Sequence, residues 1–340
     1  MKKLKIVFDW ILRVGLSGVL VAFVIVAPFT LFPSLIKAEE SVNRNEVYEY
    51  QGILELWHIE TFEGGSVSRA NFLEKEAVIF EKKHKGTYIV IQTMSLEQFE
   101  LNLESGKKPN MLSFGIGIGD IISKDLIELD ANCVRDDLKI YGMQGSKQLA
   151  VPYILGGYAL ISKNGDGMTG VGLNGTTNPL KVLENANKQI AKIYEDNSLD
   201  SYDAYDKFLK GNFGTLLGTQ RDIYRVFNRQ QKGLLTDSKF DFLGGYSDLI
   251  QYLSVFNGKD IEEKLCKEYV SQIISAETQI KLKDYNMFST LRDLSLYDNG
   301  IYKDFEDILK QNLKSENAFI SKDQIESQKN ESYKNVVRWA

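Results

Sequence analysis

Short apolar runs rich in β-formers alternate along the first half of the chain with stretches in which apolar residues recur every three or four positions. Ile53, Leu54, Leu56 and Trp57 make the first run, which ends in a TFEGG loop. Leu73, Ala77 and Phe80 then repeat at helical spacing beside Phe72 and Ile79, and the pattern stops at the basic cluster 82–85 and Gly86. A second strand is predicted over 87–92 (TYIVIQ) and a third over 110–114. Between them, Ser95 and Gln98 stand at the spacing of a capping box, opening a short helix with Phe99 and Leu103 inward and Gly106 as its stop. Strand and helix alternate with no hairpin signal, which predicts a parallel sheet with crossover helices. The loop 115–119 (GIGIG) has the wrong spacing and position for a dinucleotide fingerprint and predicts a close-packed turn at the sheet edge.

The pattern changes at 151–164 (VPYILGGYALISKN). Pro152 fixes φ, Gly156 and Gly157 free the backbone, and Tyr158, Ala159, Leu160 and Ile161 follow as a strand, so a pliable joint is expected between two rigid bodies. Residues 165–178 are dense in glycine and asparagine and predict a surface loop; helical spacing follows around 180–194 and 202–209. The apolar run 215–217 leads into Thr219 and Asp222 at capping-box spacing, which places Gln220 and Arg221 in the first turn of a helix beside unpaired backbone donors. A second Gly-Gly-Tyr, at 244–246, opens another β-rich stretch and mirrors the first joint. Asp260 and Glu263 are expected to cap a long helix whose stripe runs through Ile261, Leu265, Tyr269, Ile273, Ala276 and Ile280. Beyond Tyr302 the chain reads as charged and helical, fraying into a polar stretch over 321–334 that gives no reason of composition to fold.

At 340 residues two domains are the expectation, and they are preceded by a different kind of segment. Lys2, Lys3 and Lys5 stand before an uncharged run over 14–36, after which the chain turns abruptly polar, as an export signal does. A cleaved signal and a retained anchor both fit, because the run is long enough to span a bilayer while Pro28 and Pro33 break its second half. Either way the basic start keeps the N-terminus in the cytoplasm and places the remainder outside. Removing the four net positive charges of residues 1–37 takes the formal charge from −5 to −9, and no basic stripe interleaved with aromatics opposes the conclusion that nucleic acid is not a partner. Cys133 and Cys266 allow at most one bridge and are expected as free, partly buried thiols.

Taken together, LELWHIETFEGG, FEKKHKG, PNMLSFG, VPYILGGYAL, GTQRD with NRQQKGL, and FLGGYSDLIQYL, in this order and spacing, resemble the extracellular solute-binding proteins of ABC importers, in the branch best known for sugars and oligosaccharides. The resemblance covers roughly residues 53–289. It implies an α/β chain in the two-lobed class II periplasmic-binding-protein-like fold, with a cleft between the lobes that closes on its ligand. The implied division is 1–38 as signal peptide or membrane anchor, 46–152 and 247–300 as lobe one, 153–246 as lobe two, and 301–340 as a C-terminal helical and polar segment. Carried over position by position, the ligand-binding set is Trp57, His58, Glu63, Phe114, Gly115, Tyr153, Tyr158, Gln220, Arg221, Gly245 and Tyr246, with Gly156, Gly157 and Gly244 as hinge. The mixture suits a carbohydrate, since rings cover the apolar faces of a pyranose while Gln, Arg and Glu satisfy its hydroxyls. Two departures stand out: no lipid-anchor cysteine lies near the N-terminus, and the segment beyond Tyr302 matches nothing in the resemblance.

The implied function is capture of a small polar solute and its delivery to the permease subunits of an importer by a monomeric protein at the outer face of the membrane. A membrane-tethered sensor is the alternative, and an exported sugar hydrolase a more distant one. With only His58 and His84, neither an H-E-x-x-H zinc site nor a three-histidine site can be built, and no G-x-S-x-G elbow or phosphate-binding lysine loop is present. The reading therefore expects no catalysis, no metal and no cofactor.

Overall fold

The computed structural model describes residues 15–17, 23, 48–59, 68–163, 168–194, 199–235 and 237–337. The expected export segment and the Glu63 loop lie outside these residues, apart from 15–17 and 23. Among the described residues no helix is long and apolar enough to cross a membrane. The chain divides into Met1–Gln51 and Gly52–Ala340, and it is the second unit that carries the sheets.

In chain order its principal elements are β1 (Gly52–Ile59), α1 (Arg69–Lys83), β2 (Thr87–Met94), α2 (Leu96–Glu104), β3 (Met111–Phe114), β4 (Val151–Leu155), β5 (Tyr158–Ser162), β6 (Met168–Val171), α3 (Leu180–Asn185), β7 (Lys192–Ile193), α4 (Ser201–Leu209), β8 (Thr215–Thr219), α5 (Gln220–Gln231), β9 (Lys239–Leu243), β10 (Ile250–Val255), α6 (Asp260–Ile273), α7 (Ile301–Leu309) and α8 (Lys322–Val336). The first sheet has the order β2-β1-β3-β10-β4, with β1 parallel to both neighbours and β10 antiparallel to β3 and β4. The second has the order β9-β5-β8-β6-β7, with β8 parallel to β6 and antiparallel to β5. Each sheet is the centre of one lobe, and the chain passes between them at 156–157 and again at 244–249.

Local chemistry accounts for the first lobe. Ser68 accepts the Ala70 N–H to start α1, whose buried face (Phe72, Leu73, Ala77, Phe80) packs on the sheet. Ser95 and Gln98 form the reciprocal capping box of α2. From α6, Tyr269 donates its hydroxyl to Leu73 O at 2.7 Å and meets the Phe80 ring edge-on at 5.5 Å, joining the two covering helices.

Six expectations are corrected. Residues 165–178 are not simply a loop: Met168–Val171 is a strand, and its Gly170 lies beneath Phe213, whose ring would meet a Cβ there at 1.9 Å. The glycine marks close packing of ring on backbone, not a turn. The helix expected over 180–194 stops at Asn185, with Asn187 at φ 51, and the chain re-enters the sheet at Lys192. The stripe expected to reach Ile280 breaks after Ile273, because Ser275 caps a separate turn and Ile280 is left exposed; Asp260 and Glu263 do not cap α6 either, Glu263 instead accepting the Gly258 N–H at 2.8 Å. Cys133 is exposed rather than partly buried, while Cys266 is buried, and both are free. Finally, the polar stretch 321–334 folds as α8. Ser321 and Gln324 cap it, and the buried positions Ile325, Lys329, Ser332 and Val336 share one face. Two of those four are polar, so a hydrophobic pattern could not reveal them.

Candidate functional site

The two crossings are bonded to each other. Gly156 N–H donates to Leu249 O at 2.7 Å and accepts Ser247 Oγ at its carbonyl at 2.8 Å, while Gln220 Oε1 accepts the Gly157 N–H at 2.8 Å. A Cβ at Gly156 would stand 2.7 Å from Gln220 Nε2, and one at Gly157 would stand 2.6 Å from Phe305 of α7. Glycine is required here by close approach of neighbouring side chains. Ile308 covers Gly244 in the same way, at 2.6 Å from a Cβ.

Beside these crossings lies a buried cluster of polar side chains. Tyr158, at the start of β5, donates to Asp248 Oδ1 at 2.7 Å, and Asn178 N–H donates to Asp248 Oδ2 at 2.6 Å. Tyr246 from the return crossing, Tyr252 from β10, and Ser315 and Glu316 from the segment between α7 and α8 surround the same carboxylate. Gln328 of α8 donates to Glu316 Oε2 at 3.2 Å. The Tyr246 and Tyr252 hydroxyls, Ser315 Oγ, Gln328 Oε1 and Asn178 Oδ1 are all shut away from solvent with no hydrogen-bond partner among the described residues. Buried polar atoms are almost always partnered, so a cluster of orphans marks a place that receives hydrogen bonds from something else. Burial pushes the Asp248 carboxyl up to about 6, against the pull of the Asn178 N–H and the Tyr158 hydroxyl. The same desolvation, with Asp248 adding to it, carries Tyr158 and Tyr246 well above the usual tyrosine range.

Two hollows flank this cluster where strands of the two sheets end. A cavity of about 60 Å³ under 172–179 is bounded by Tyr158, Ser201, Thr219 and Asp222. Asp222 accepts the Thr219 N–H at 2.9 Å, closing the capping box of α5 as expected, and its burial pushes it up to about 6. A larger hollow of about 360 Å³ opens between Leu96 at the start of α2, loop 173–176 of the second lobe, and α8. There Lys329 Nζ donates to Leu173 O at 3.0 Å, to Gly175 O and to Glu326 at 2.7 Å. Gly117, just past β3, sits against Thr176 of the second lobe and Ile325 of α8. Carboxyl ends of strands from both sheets thus face one crevice, where open α/β sheets take ligands. Among the described residues no group of three His, Cys, Asp or Glu side chains is placed to hold a metal ion.

The residues expected to bind ligand are distributed unevenly around this crevice. Tyr158 and Tyr246 belong to the buried cluster around Asp248. Gln220 is occupied at the crossing, with its Nε2 at 3.2 Å from Met287 Sδ. His58, Ser113, Tyr153 and Gln251 form an internal network: Ser113 Oγ lies 2.8 Å from His58 Nδ1 and from the Tyr153 hydroxyl, and 3.0 Å from Gln251 Nε2. Trp57 is 3% exposed and meets Phe99 edge-on at 6.2 Å; Phe114 is fully buried against Tyr252 at 6.0 Å. Gly115 is buried at the end of β3. Gly245 (φ 79) takes a conformation that suits glycine, and Asn185 leaves no room for a Cβ there. Arg221 lies over the Tyr202 ring at 4.4 Å, turned toward α4. The sequence reading missed Asn178, Asp248, Tyr252 and the whole of 315–329. One signal was legible: Asp248 is the lone charged residue of the stretch 242–256, where a charge without a purpose is costly.

The strand order, the mixed sheet at the centre of each lobe and the paired crossings define a two-lobed α/β periplasmic-binding-protein fold. No protein-family model matches the chain, and no curated protein matches it in sequence. Solved structures do match in three dimensions. The sugar-binding protein MalE from Xanthomonas citri superposes with a TM-score of 0.62 at 10% identity, over 83% of this chain and 91% of that one. The GacH receptor of Streptomyces glaucescens, solved unliganded and with acarbose, gives 0.58 at 14% identity, over 84% and 97%. Thiaminase I from Bacillus thiaminolyticus gives 0.56 at 11% identity, over 83% and 98%, so the fold also serves an enzyme.

Proposed function

We propose that this protein is an extracytoplasmic solute-binding protein that captures a carbohydrate or similar hydroxyl-rich solute between its lobes and delivers it to an ABC importer. The observation that carries the reading is the buried polar cluster beside the crossings, where two tyrosine hydroxyls, a serine, two amides and two carboxylates from both lobes and the C-terminal segment converge with orphaned atoms. Such a set suits a ligand that both donates and accepts many hydrogen bonds, as a sugar does. MalE and the acarbose-bound GacH receptor, which share the fold, support the carbohydrate class. The basic start and apolar run of residues 1–36 support export, with the N-terminal segment serving as anchor where it is retained. We read the protein as a monomer whose protein partner is the permease.

A binding role is favoured over catalysis by where the reactive side chains lie. His58 is in the first-lobe interior, His84 is stacked on Phe80 at 4.0 Å, Cys266 is buried on α6, and Cys133 lies 3.4 Å from Ile274 O. None of them belongs to the polar cluster around Asp248. A thermal-shift screen against mono- and oligosaccharides, followed by calorimetry on the hits, tests the proposal: a saturating ligand at about a hundred times Kd should add about 2.7 kcal/mol of stability. Absence of any shift across carbohydrates, with a shift from an amino acid or another solute, would move the ligand class.

A further inference from the structure

On the second lobe, α4 and α5 enclose an open groove of about 760 Å³ that the solute-binding role leaves unused. Arg225 stands over two rings of α4, with its guanidinium carbon 5.4 Å from the Tyr202 centroid and 4.9 Å from that of Tyr205. Arg229 follows one turn later beside Tyr205, and Lys232 closes the row. Among the described residues neither Arg225 nor Arg229 has an ion-pair partner. Asp206 is held by Lys210 at 2.6 Å, which leaves Asp203 as the acid within the groove, while Asp222, buried behind α5, interacts with Arg225 from the other side. Tyr202 and Leu234, at 51% and 67% exposed, add apolar surface at the groove.

We propose that this groove docks an acidic peptide segment of a partner protein. A guanidinium stacked on a ring keeps its in-plane N–H groups directed outward, ready for bidentate pairing with carboxylates. Arginines four residues apart on a helix are separated by about 6 Å along its axis, close to the about 6.6 Å between alternate side chains of an extended strand. Acids at alternate positions of a peptide therefore meet Arg225 and Arg229 together, while an intervening apolar residue finds Tyr202 and Leu234. Tyrosine and arginine are also the side chains that dominate binding energy at protein interfaces. The groove is concave and carries Asp203, which fits a narrow chain and not a flat anionic bilayer. Because the exported body has a formal charge of −9, a cationic groove also sets where an acidic partner can approach.

The test is fluorescence anisotropy of the full chain with a labelled twelve-residue peptide in which glutamate alternates with leucine and serine. Binding should weaken at least tenfold in the Arg225→Glu/Arg229→Glu double variant and in high salt, and a matched lysine peptide should not bind. Circular dichroism and the carbohydrate thermal shift of the double variant should match wild type, which separates this proposal from the cleft assignment. Equal peptide affinity in wild type and double variant would overturn it. So would phosphatidylglycerol vesicle binding that depends on the two arginines while peptide binding does not, since a membrane surface would then be the occupant.

Discussion

Among the described residues Tyr246 and Tyr252 bury hydroxyls that meet no well-aligned hydrogen-bond partner, whereas Tyr158 buries one that is bonded to Asp248. This difference separates folding from binding. Replacing either Tyr246 or Tyr252 with Phe should leave the melting temperature unchanged or raise it, since an orphaned polar atom costs roughly 1–3 kcal/mol, yet should lower carbohydrate affinity about tenfold in calorimetry. Tyr158→Phe should instead destabilise by roughly 1–3 kcal/mol, because it leaves a buried carboxylate oxygen without its donor. Asp222 and Asp248 carry the pH dependence. Both are pushed up to about 6 from 3.8, so between these values the folded state holds a proton that the unfolded chain has released. Their contribution is complete below about pH 4 and is lost as pH rises through about 6, on the order of 3 kcal/mol for each group. Denaturant titrations should therefore show these two groups favouring the fold more at pH 5 than at pH 7, and Asp248→Asn should flatten that slope. At the thiols, burial pushes Cys266 up to about 12 and Cys133 is exposed, so a maleimide should label Cys133 alone in the native protein.

At the scale of elements, the segment 313–337 acts as a strap with a joint in its middle. Its first part binds the first lobe: Ala318 N–H donates to Tyr141 O at 2.7 Å and Asn317 Nδ2 to Met143 O at 2.9 Å. Its second part, α8, binds the second lobe through Lys329, through Asn178 Nδ2 to Ser332 Oγ at 3.2 Å, and through Asn335 Nδ2 to Glu184 Oε1 at 2.9 Å. Lobe opening must bend the strap near Ser321 or detach one part of it. Lys329→Ala should strip two buried carbonyls of their donor; the expected result is a loss of roughly 1–3 kcal/mol with faster ligand release, read by denaturant titration and stopped-flow. Phe305→Ala should cost more, about 3–5 kcal/mol, since that ring packs on Gly157, stacks on Phe242 at 4.7 Å and meets Phe288 at 5.2 Å.

For the whole molecule, the two lobes meet at Gly117 and Thr176 and are joined by two crossings and the strap, so the motion open to them is rotation about that joint. Ligand should shift the population toward closure in proportion to its preference for the closed state. Small-angle scattering should show a smaller radius of gyration on adding the carbohydrate that scores in the thermal screen, and the change should vanish in a Tyr246→Phe/Tyr252→Phe variant.

What the sequence determined by itself is what neighbouring residues decide locally. The first lobe's strands and covering helices, the capping boxes at Ser95 and Thr219, and the place where Gly156 and Gly157 pass from one sheet to the other all follow from short-range spacing and backbone freedom. Tertiary structure alone decided which side chains face the crevice. Trp57 and His58 lie on a strand whose pattern reads the same whether they point to ligand or to core, and the packing of Phe99 and Ser113 settled it. Tyr252, Ser315, Glu316 and Gln328 meet only because a polar helix at the far end of the chain folds back across the crossings. No local pattern encodes that return. Its energy lies in hydrogen bonds between residues about 150 positions apart, such as Asn178 with Ser332, which become visible only once the chain is folded.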